Sequence, residues 1–321
     1  MKDIELLLLT GSHFNPTENE LERLHRTFPT IHTNLKGQTE YSICDVQKAH
    51  IIVGFPKPSF LKEARHLKWL QTPSAGIQQY SDKKIFSSPD IILTNASGTY
   101  GKQISDHVIG SIIAHNHNFF TYKEQMNHSI WQDYIPIMNI YESTILIFGY
   151  GDIGKHIAKK AKALDMHVIV VSNTMRKNEK YVDEFYTTES LDCVIHRADY
   201  LVLSSASTPH TLHIINRDRI AALPKNAYII NIARGNLIDE KALIESLQSG
   251  HLGGASLDVT EKEPLDAQSP LWTLANVLIT PHSSGLSHHV PSLNFEIFYS
   301  NLLAFSHNEK MKNIVDFERK Y

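Results

Sequence analysis

The sequence predicts an α/β protein of two domains, each built on a parallel sheet covered by helices. Three observations lead to this fold class. The chain has 321 residues, enough for two domains with buried cores. Short apolar runs alternate with polar, helix-like stretches along most of its length. A glycine-rich turn, residues 149–154, separates a strand-like run from an amphipathic stretch.

Composition and charge exclude several classes of protein. Hydrophobic residues make up 42% of the chain and charged residues 20%, as in soluble globular proteins. The formal net charge is −3, so we expect no nucleic-acid partner. The two cysteines, Cys44 and Cys193, are too few for a disulfide framework and are typical of a reducing compartment.

The amino terminus carries Asp3 and Glu5 where a signal peptide needs basic residues. The apolar run at residues 6–9 is too short to span a membrane. We interpret this run as a buried strand and expect a cytoplasmic protein with no membrane partner.

Residues 1–97, joined by residues 290–321, predict a smaller, discontinuous domain. Four apolar runs are candidate strands: residues 4–9, 51–53, 67–71 and 91–94. Thr17 can cap a helix that ends before Pro29. A final helix over about residues 291–305 is expected to return to this domain.

Residues 98–289 predict the larger domain. The stretch 104–120 has helical periodicity and little charge, so we expect it to be buried between domains or against a second subunit. Strand-like runs then alternate with helical pieces such as 240–249, which predicts a doubly wound sheet. These runs are residues 144–148, 167–171, 200–204, 227–231, 255–257 and 277–280.

The glycine-rich turn predicts a dinucleotide site of the Rossmann type. Gly149 permits a tight turn, Gly151 lets the backbone approach a pyrophosphate, and Gly154 lets helix and strand pack closely. Backbone N–H groups at the helix N-terminus would bind the diphosphate. Strand, turn, helix and second strand occur in the required order, so we expect NAD or NADP as the cofactor.

The end of the second strand favours NADP. An acidic residue usually binds the ribose 2′-hydroxyl there in chains that select NAD, but this segment reads Ser172-Asn173-Thr174-Met175-Arg176-Lys177. Its hydroxyl, amide and guanidinium groups can bind a 2′-phosphate, and it has no carboxylate to repel one. In the alternative interpretation the two cations form a solvated loop and either cofactor is used.

Three residues, Arg234, Asp258 and His282, each follow a predicted strand end, where ligands bind in doubly wound sheets. An arginine can bind a carboxylate, a histidine can transfer a proton, and Glu263 can keep that histidine charged. With a nicotinamide, these groups are sufficient to reduce a 2-keto acid.

Three motifs resemble signatures of the D-isomer-specific 2-hydroxyacid dehydrogenases. They are Asn231-Ile232-Ala233-Arg234-Gly235-Asn236-Leu237-Ile238-Asp239-Glu240, Leu257-Asp258-Val259-Thr260-Glu261-Lys262-Glu263-Pro264-Leu265 and Thr280-Pro281-His282-Ser283-Ser284-Gly285. The likeness covers essentially the whole chain. It extends to Thr72-Pro73-Ser74-Ala75-Gly76 and Thr94-Asn95-Ala96-Ser97-Gly98 in the first domain.

The resemblance implies a Rossmann-type domain with a smaller flavodoxin-like substrate domain. Arg234 would bind the substrate carboxylate and polarise the keto oxygen, and His282 would protonate that oxygen. Glu263, selected over Glu261, would orient His282 and favour its charged form. Asp258 would contact the nicotinamide carboxamide.

The resemblance also implies two sets of binding residues and no metal. The substrate-binding residues are Ser74, Ala75, Gly76, Arg234 and His282. The backbone N–H groups of Ala75 and Gly76 would complete the carboxylate pocket. The cofactor-binding residues are Gly149, Tyr150, Gly151, Asp152, Ile153, Gly154, Ser172, Asn173, Thr174, Arg176, Ala206, Ile232, Ala233 and Asp258.

Within this family, the segments 172–177 and Gln268-Ser269-Pro270-Leu271-Trp272 favour the glyoxylate and hydroxypyruvate reductases, with Trp272 as a pocket wall or dimer contact. We expect a homodimer that reduces a small 2-keto acid to the D-2-hydroxy acid with NAD(P)H. A phosphoglycerate or D-lactate type of dehydrogenase is one alternative. A non-catalytic, NAD(P)-sensing binding protein of the same fold is another.

Overall fold

A computed structural model describes residues 3–132 and 135–318. The chain divides into two compact units, Met1–Tyr100 with Leu286–Tyr321 and Gly101–Gly285. The sequence predicts the changes of domain at residues 97 and 290, and the ends of that first domain, residues 1–2 and 319–321, lie outside the described residues. Each unit contains one parallel sheet, which confirms the predicted α/β fold class.

The helices and strands alternate along both units. In chain order, the strands are β1 Ile4–Thr10, β2 Ile31–Gly37, β3 Ile51–Val53, β4 Trp69–Gln71, β5 Ile92–Thr94, β6 Thr144–Phe148, β7 His167–Val171, β8 Glu184–Tyr186, β9 Tyr200–Leu203, β10 Tyr228–Asn231, β11 Gly254–Leu257 and β12 Val277–Ile279. The helices are α1 Glu18–Thr27, α2 Ile43–Lys48, α3 Pro58–Leu61, α4 Gly101–Asn116, α5 Phe119–Asn127, α6 Asp152–Ala163, α7 Leu191–Val194, α8 Arg217–Ala222, α9 Glu240–Gln248 and α10 Val290–Ser306. Among the described residues, no helix is long and apolar enough to cross a bilayer.

The first unit has a five-stranded sheet in the order β2-β1-β3-β4-β5. Helix α1 begins where the sequence predicts, because Thr17 and Glu20 form a capping box: each side chain accepts a hydrogen bond from the other residue's backbone N–H. Helix α10 completes the core of this unit. The rings of its Phe298 and Phe305 stack on the buried Trp69 of β4, with centroids 5.7 and 5.6 Å away.

The second unit has a seven-stranded sheet in the order β12-β11-β10-β9-β6-β7-β8. The chain enters at β6 and builds first toward β8, then returns through β9 toward β12. The order therefore reverses between β6 and β9, and ligands of such sheets bind at this switch point. The residues of β9, β10 and β11 are fully buried, which explains their continuous apolar character in the sequence.

The sequence pattern predicts one helix over residues 104–120. In the structure, this stretch is divided between two helices. Helix α4 ends at Asn116, and α5 starts at Phe119 after a break at Asn118, which adopts the left-handed conformation with φ 56°. Helix α4 packs against α6 of the same unit. The apolar pattern therefore reflects, in part, packing inside the second unit.

Candidate active site

The candidate site residues of the second unit follow the carboxyl ends of its strands. Because all seven strands are parallel, these ends meet at one edge of the sheet. The glycine turn follows β6, Ser172 follows β7, Ala206 follows β9, Arg234 follows β10, Asp258 follows β11, and His282 follows β12.

The glycine turn has the shape that a diphosphate requires. Gly149 has φ 104°, and a Cβ there would lie 2.7 Å from the backbone nitrogen of Ser205. A Cβ on Gly154 would lie 2.3 Å from the carbonyl oxygen of Gly149, so the turn and helix α6 are in close contact. Around the Cβ position of Gly151, by contrast, no described atom lies within 4 Å. The backbone is therefore open to a ligand at this point.

Helix α6 begins directly after this open space. Its N-cap residue, Gly151, makes no side-chain capping bond, so no side chain there caps the N–H groups of the first helical turn. The carboxylate of Asp152 accepts a hydrogen bond from the backbone N–H of Gly101 at 2.9 Å, which ties α6 to the start of α4. A helix N-terminus left in this way binds anions, and the turn suits the pyrophosphate of a dinucleotide.

The segment after β7 contains the residues predicted to bind a 2′-phosphate. Asn173 and Thr174 are exposed, and the side-chain oxygen of Asn173 accepts a hydrogen bond from Thr188 at 2.7 Å. The guanidinium of Arg176 lies over the ring of Tyr150, 5.6 Å from its centroid. This contact brings Arg176 from the loop back to the glycine turn.

The structure adds one carboxylate that the segment itself lacks. Glu179 accepts a hydrogen bond from the hydroxyl of Tyr150 at 3.3 Å, and its other oxygen lies 3.8 Å from Nη1 of Arg176. Burial, followed by the charge of Glu179, raises the pKa of Tyr150 to about 12, so its hydroxyl remains a donor. Sequence patterns do not indicate Glu179, because it lies beyond the end of β7. It comes close to Tyr150 and Arg176 only through the fold of the loop.

The loops after β9 and β10 are held by side chains at their strand ends. The hydroxyl of Ser204 donates to the carbonyl of Gly149 at 2.8 Å, next to the glycine turn, and exposed Ala206 follows. Asn231 accepts from the N–H of Ala233 at 3.1 Å and donates to the carbonyl of Arg234 at 2.9 Å. Ile232 and Ala233 are buried. The side chain of Asn231 therefore holds the turn between β10 and Arg234.

Gly235 brings two of the site segments together. A Cβ at this position would lie 1.9 Å from the carbonyl carbon of Thr260, so the backbone after Arg234 touches the backbone after β11. No side chain larger than hydrogen fits there. Arg234 and the segment that contains Glu263 are thereby fixed relative to one another.

Arg234 is partly buried, and its Nη1 donates to the carbonyl of Ala233 at 2.6 Å. Burial lowers the pKa of Arg234, while the negative charge of Glu263 acts in the opposite direction. The guanidinium remains charged at any physiological pH. Partial withdrawal from water strengthens its attraction for an anionic ligand.

His282 and Glu263 are hydrogen-bonded, with 2.9 Å between Nδ1 and Oε2. An ionised carboxylate can only accept, so Nδ1 carries the proton and Nε2 is left for a ligand. Their side chains are 48% and 41% exposed, so a small molecule can reach this pair. The competing acid, Glu261, lies instead 2.8 Å from Nε2 of His213.

Asp258 is buried and anchors the loop that carries His282. Its carboxylate accepts from the hydroxyl of Thr280 at 2.6 Å, from the N–H of Ser283 at 2.9 Å, and from the N–H and hydroxyl of Ser284 at 3.1 and 2.5 Å. Its carbonyl accepts from the N–H of His282 at 2.8 Å. His282 itself has φ 52°. The carboxylate of Asp258 thus stabilises a strained loop, besides the cofactor contact that the resemblance implies.

The predicted residues Ser74, Ala75 and Gly76 belong to the first unit, in the loop after β4. The hydroxyl of Ser74 donates to the carbonyl of Gly76 at 2.6 Å, and Asn95 donates to the carbonyl of Ala75 at 3.1 Å. Over residues 3–132 and 135–318, the N–H groups of Ala75 and Gly76 donate to no protein acceptor. They are therefore available to an anion.

The chain is similar to known proteins over most of its length. Residues 109–284, more than half of the chain, match the family described as "D-isomer specific 2-hydroxyacid dehydrogenase, NAD binding domain". The chain is 30% identical over 251 residues to glyoxylate/hydroxypyruvate reductase B of Serratia proteamaculans (strain 568), which covers 77% of each protein.

Two solved structures are similar over nearly the whole chain. A D-isomer specific 2-hydroxyacid dehydrogenase family protein from Aeromonas salmonicida subsp. salmonicida A449 is 30% identical, with a TM-score of 0.85 over 98% of this chain and 100% of that chain. An NADPH-dependent glyoxylate/hydroxypyruvate reductase from Sinorhizobium meliloti, in complex with NADP and sulfate, is 26% identical, with a TM-score of 0.82 over 99% and 100%.

Proposed function

The chain belongs to the D-isomer specific 2-hydroxyacid dehydrogenase family of NAD(P)-dependent enzymes, and we propose that it reduces a small 2-keto acid to the D-2-hydroxy acid. The proposed substrate is glyoxylate, hydroxypyruvate or a similarly small 2-keto acid, and the proposed preferred cofactor is NADPH. One observation carries the chemical part of this proposal. It is the hydrogen bond between His282, which follows β12, and Glu263, which follows β11. The partly buried Arg234 follows β10, the next strand of the same parallel sheet.

In the proposed reaction, Arg234 binds the substrate carboxylate and polarises the keto oxygen. Its donor fork matches a carboxylate, and its partial burial strengthens the attraction. The N–H groups of Ala75 and Gly76 supply further donors to the same carboxylate. Small side chains at these two positions let the carboxylate approach the backbone.

His282 is the proposed proton donor. Since Nδ1 is bonded to Glu263, Nε2 gives its proton to the keto oxygen, and Glu263 compensates the charge of the protonated ring. When bound, the nicotinamide supplies the hydride that adds to the keto carbon. The oxygen thus gains a proton and the carbon gains a hydride, which together give the alcohol.

The proposed preference for NADPH rests on the segment after β7. Ser172, Asn173, Thr174 and Arg176 offer hydroxyl, amide and guanidinium donors to a 2′-phosphate. The relative from Sinorhizobium meliloti, solved with NADP, supports this assignment. The glycine turn would hold the pyrophosphate, and Ala206, Ile232, Ala233 and Asp258 would line the remainder of the cofactor.

We expect the purified protein to oxidise NADPH faster than NADH, and glyoxylate or hydroxypyruvate to be used better than a bulkier 2-keto acid. Initial rates at 340 nm, the absorbance band of the reduced nicotinamide, measure both preferences. Chiral chromatography of the hydroxypyruvate product tests for the D-isomer. A His282→Gln variant serves as the inactive control. Turnover confined to the bulky acid would overturn the substrate assignment, and an L-product would overturn the stereochemical one.

We also propose that the protein is a homodimer that associates through the surface of residues 119–132 and 135–141, called here the apolar arm. Eight of the fifteen large hydrophobic residues exposed among the described residues lie in this arm, including Phe119, Met126 and Trp131. An apolar surface of this density is typical of an interface between subunits. We propose a second copy of this chain as the occupant of this surface.

Replacing Trp131, whose surface is 91% exposed, with glutamate is expected to convert the dimer to a monomer. A charge placed within an apolar interface costs several kcal/mol of association energy. Light scattering coupled to size-exclusion chromatography measures the mass. Leu212→Glu, at an exposed leucine of the same unit outside the arm, is the matched control and should remain dimeric. A wild-type protein of monomer mass would contradict this assignment.

A further inference from the structure

We propose that Glu179 competes with the cofactor's 2′-phosphate for Arg176, and that it thereby limits how strongly this enzyme discriminates NADPH from NADH. The inference rests on the proposed function, since it assigns the 2′-phosphate to the segment after β7. It concerns a residue that lies outside that segment and outside the glycine turn.

The geometry places Glu179 where it faces both site segments. One carboxylate oxygen accepts from the hydroxyl of Tyr150 in the glycine turn at 3.3 Å, and the other lies 3.8 Å from Nη1 of Arg176. Tyr150 is buried, and the edge of its ring packs against Phe185 with a centroid distance of 5.4 Å. Tyr150 is therefore a fixed donor that holds Glu179 toward Arg176.

Without a cofactor phosphate, this cluster contains two cations and one carboxylate. The guanidinium of Arg176 lies 5.6 Å from the centroid of the Tyr150 ring, and Nζ of Lys155 lies 5.9 Å from the same centroid. Glu179 supplies the negative charge opposite them. The side chains of Arg176 and Glu179 are 38% and 27% exposed, so water screens their interaction only in part.

A 2′-phosphate changes this balance. The phosphate needs Arg176 as a donor and carries negative charge itself, so the carboxylate of Glu179 both retains the guanidinium and repels the ligand. The 2′-hydroxyl of NADH is neutral, and a carboxylate is a good acceptor for it. Glu179 therefore opposes NADPH binding selectively, and the discrimination produced by residues 172–176 is weakened.

The test is direct binding of NADPH and NADH to a Glu179→Gln variant, followed by the change in protein fluorescence. Glutamine keeps the shape and can still accept from Tyr150, but it removes the charge. We expect the Kd for NADPH to fall about five- to tenfold at low salt and the Kd for NADH to change less than about twofold. High salt should reduce the gain, because the charges are screened.

Glu245→Gln is the matched control for net charge, since Glu245 lies on α9 and pairs with Arg217. This control should leave both Kd values unchanged. The inference is overturned if Glu179→Gln leaves NADPH binding unchanged or weakens it, which would mean that Glu179 positions Arg176 for the phosphate.

A second background tests whether Arg176 is the group under competition. In an Arg176→Ala protein, the gain from Glu179→Gln should fall to less than half of its original size. A gain of full size would overturn the competition for Arg176. The proposed cofactor preference fails separately, if wild-type protein binds NADH more tightly than NADPH. Tighter NADPH binding by the Glu179 variant would still support the inference in that case.

Discussion

Replacing Arg234 with alanine should abolish turnover while leaving cofactor binding nearly intact. The guanidinium is the proposed ligand of the substrate carboxylate and of the developing negative charge on the keto oxygen. Loss of this charged, bidentate donor is expected to lower kcat/KM by about 10³- to 10⁴-fold. The Kd for NADPH should change less than about threefold, because the glycine turn and the segment after β7 are untouched.

Two further variants separate the shape of the guanidinium from its charge. Arg234→Lys keeps the charge but has no planar fork, so its activity should lie between those of wild type and the alanine variant. Arg217→Ala removes an exposed arginine of the same unit and is the matched control. Thermal unfolding of each variant checks that the fold is retained.

The Arg234→Ala variant also separates an enzyme from a protein that only senses the cofactor. A sensing protein would bind NADPH with little turnover, and loss of Arg234 would change neither property. Turnover by wild type that survives in Arg234→Ala would instead refute the proposed role of the arginine. A parallel loss of NADPH binding would place Arg234 in the cofactor site.

Most strands were predictable from the sequence, whereas the edge strands β2 and β8 were not. Strands β6 and β10 are buried along nearly their whole length, so they appear as uninterrupted apolar runs. Strands β2 and β8 lie at the edges of their sheets, and most of their residues are partly exposed. Their mixed composition resembles that of loops, and only pairing with a neighbour identifies them as strands.

A similar limit explains the break near Asn118. Periodicity predicts one helix over residues 104–120, since apolar residues continue on both sides of the break. The chain changes direction because Asn118 adopts φ 56°, and its side chain donates to the carbonyl of Pro136 at 2.9 Å. That partner is distant in sequence, so no local pattern indicates it.

The candidate site shows what motif order can and cannot predict. Arg234 and His282 stand at ends of parallel strands, and parallel topology alone brings such ends to one edge. The choice of Glu263 over Glu261 came from resemblance, and the structure places Glu263 against His282. Glu179 was not predictable, because its approach to Arg176 depends on how a loop folds back.

Asp258→Asn is expected to lower kcat about 30- to 100-fold through displacement of His282. The buried carboxylate accepts hydrogen bonds from Thr280, Ser283 and Ser284, on both sides of the histidine. Asparagine has one acceptor oxygen, and its NH₂ group would face donors of the loop. A displacement of His282 by about 1 Å is sufficient for a loss of this size.

The variant should also be less stable by about 1–3 kcal/mol, because at least one buried donor loses its acceptor. Urea denaturation without cofactor measures this loss. Thr280→Val removes only the hydroxyl bond and is expected to have a smaller effect on both stability and kcat. If stability and kcat of Asp258→Asn equal those of wild type, Asp258 does not hold the loop.

The cofactor contact implied for Asp258 predicts a different result. If its main role were to bind the nicotinamide carboxamide, the Kd for NADPH would rise and the stability of the cofactor-free protein would not change. A residue that positions His282 instead lowers kcat and stability together, with nearly constant Kd. The hydrogen bonds from Ser283 and Ser284 favour the second pattern. They join the carboxylate of Asp258 to the loop that carries His282, the proposed proton donor.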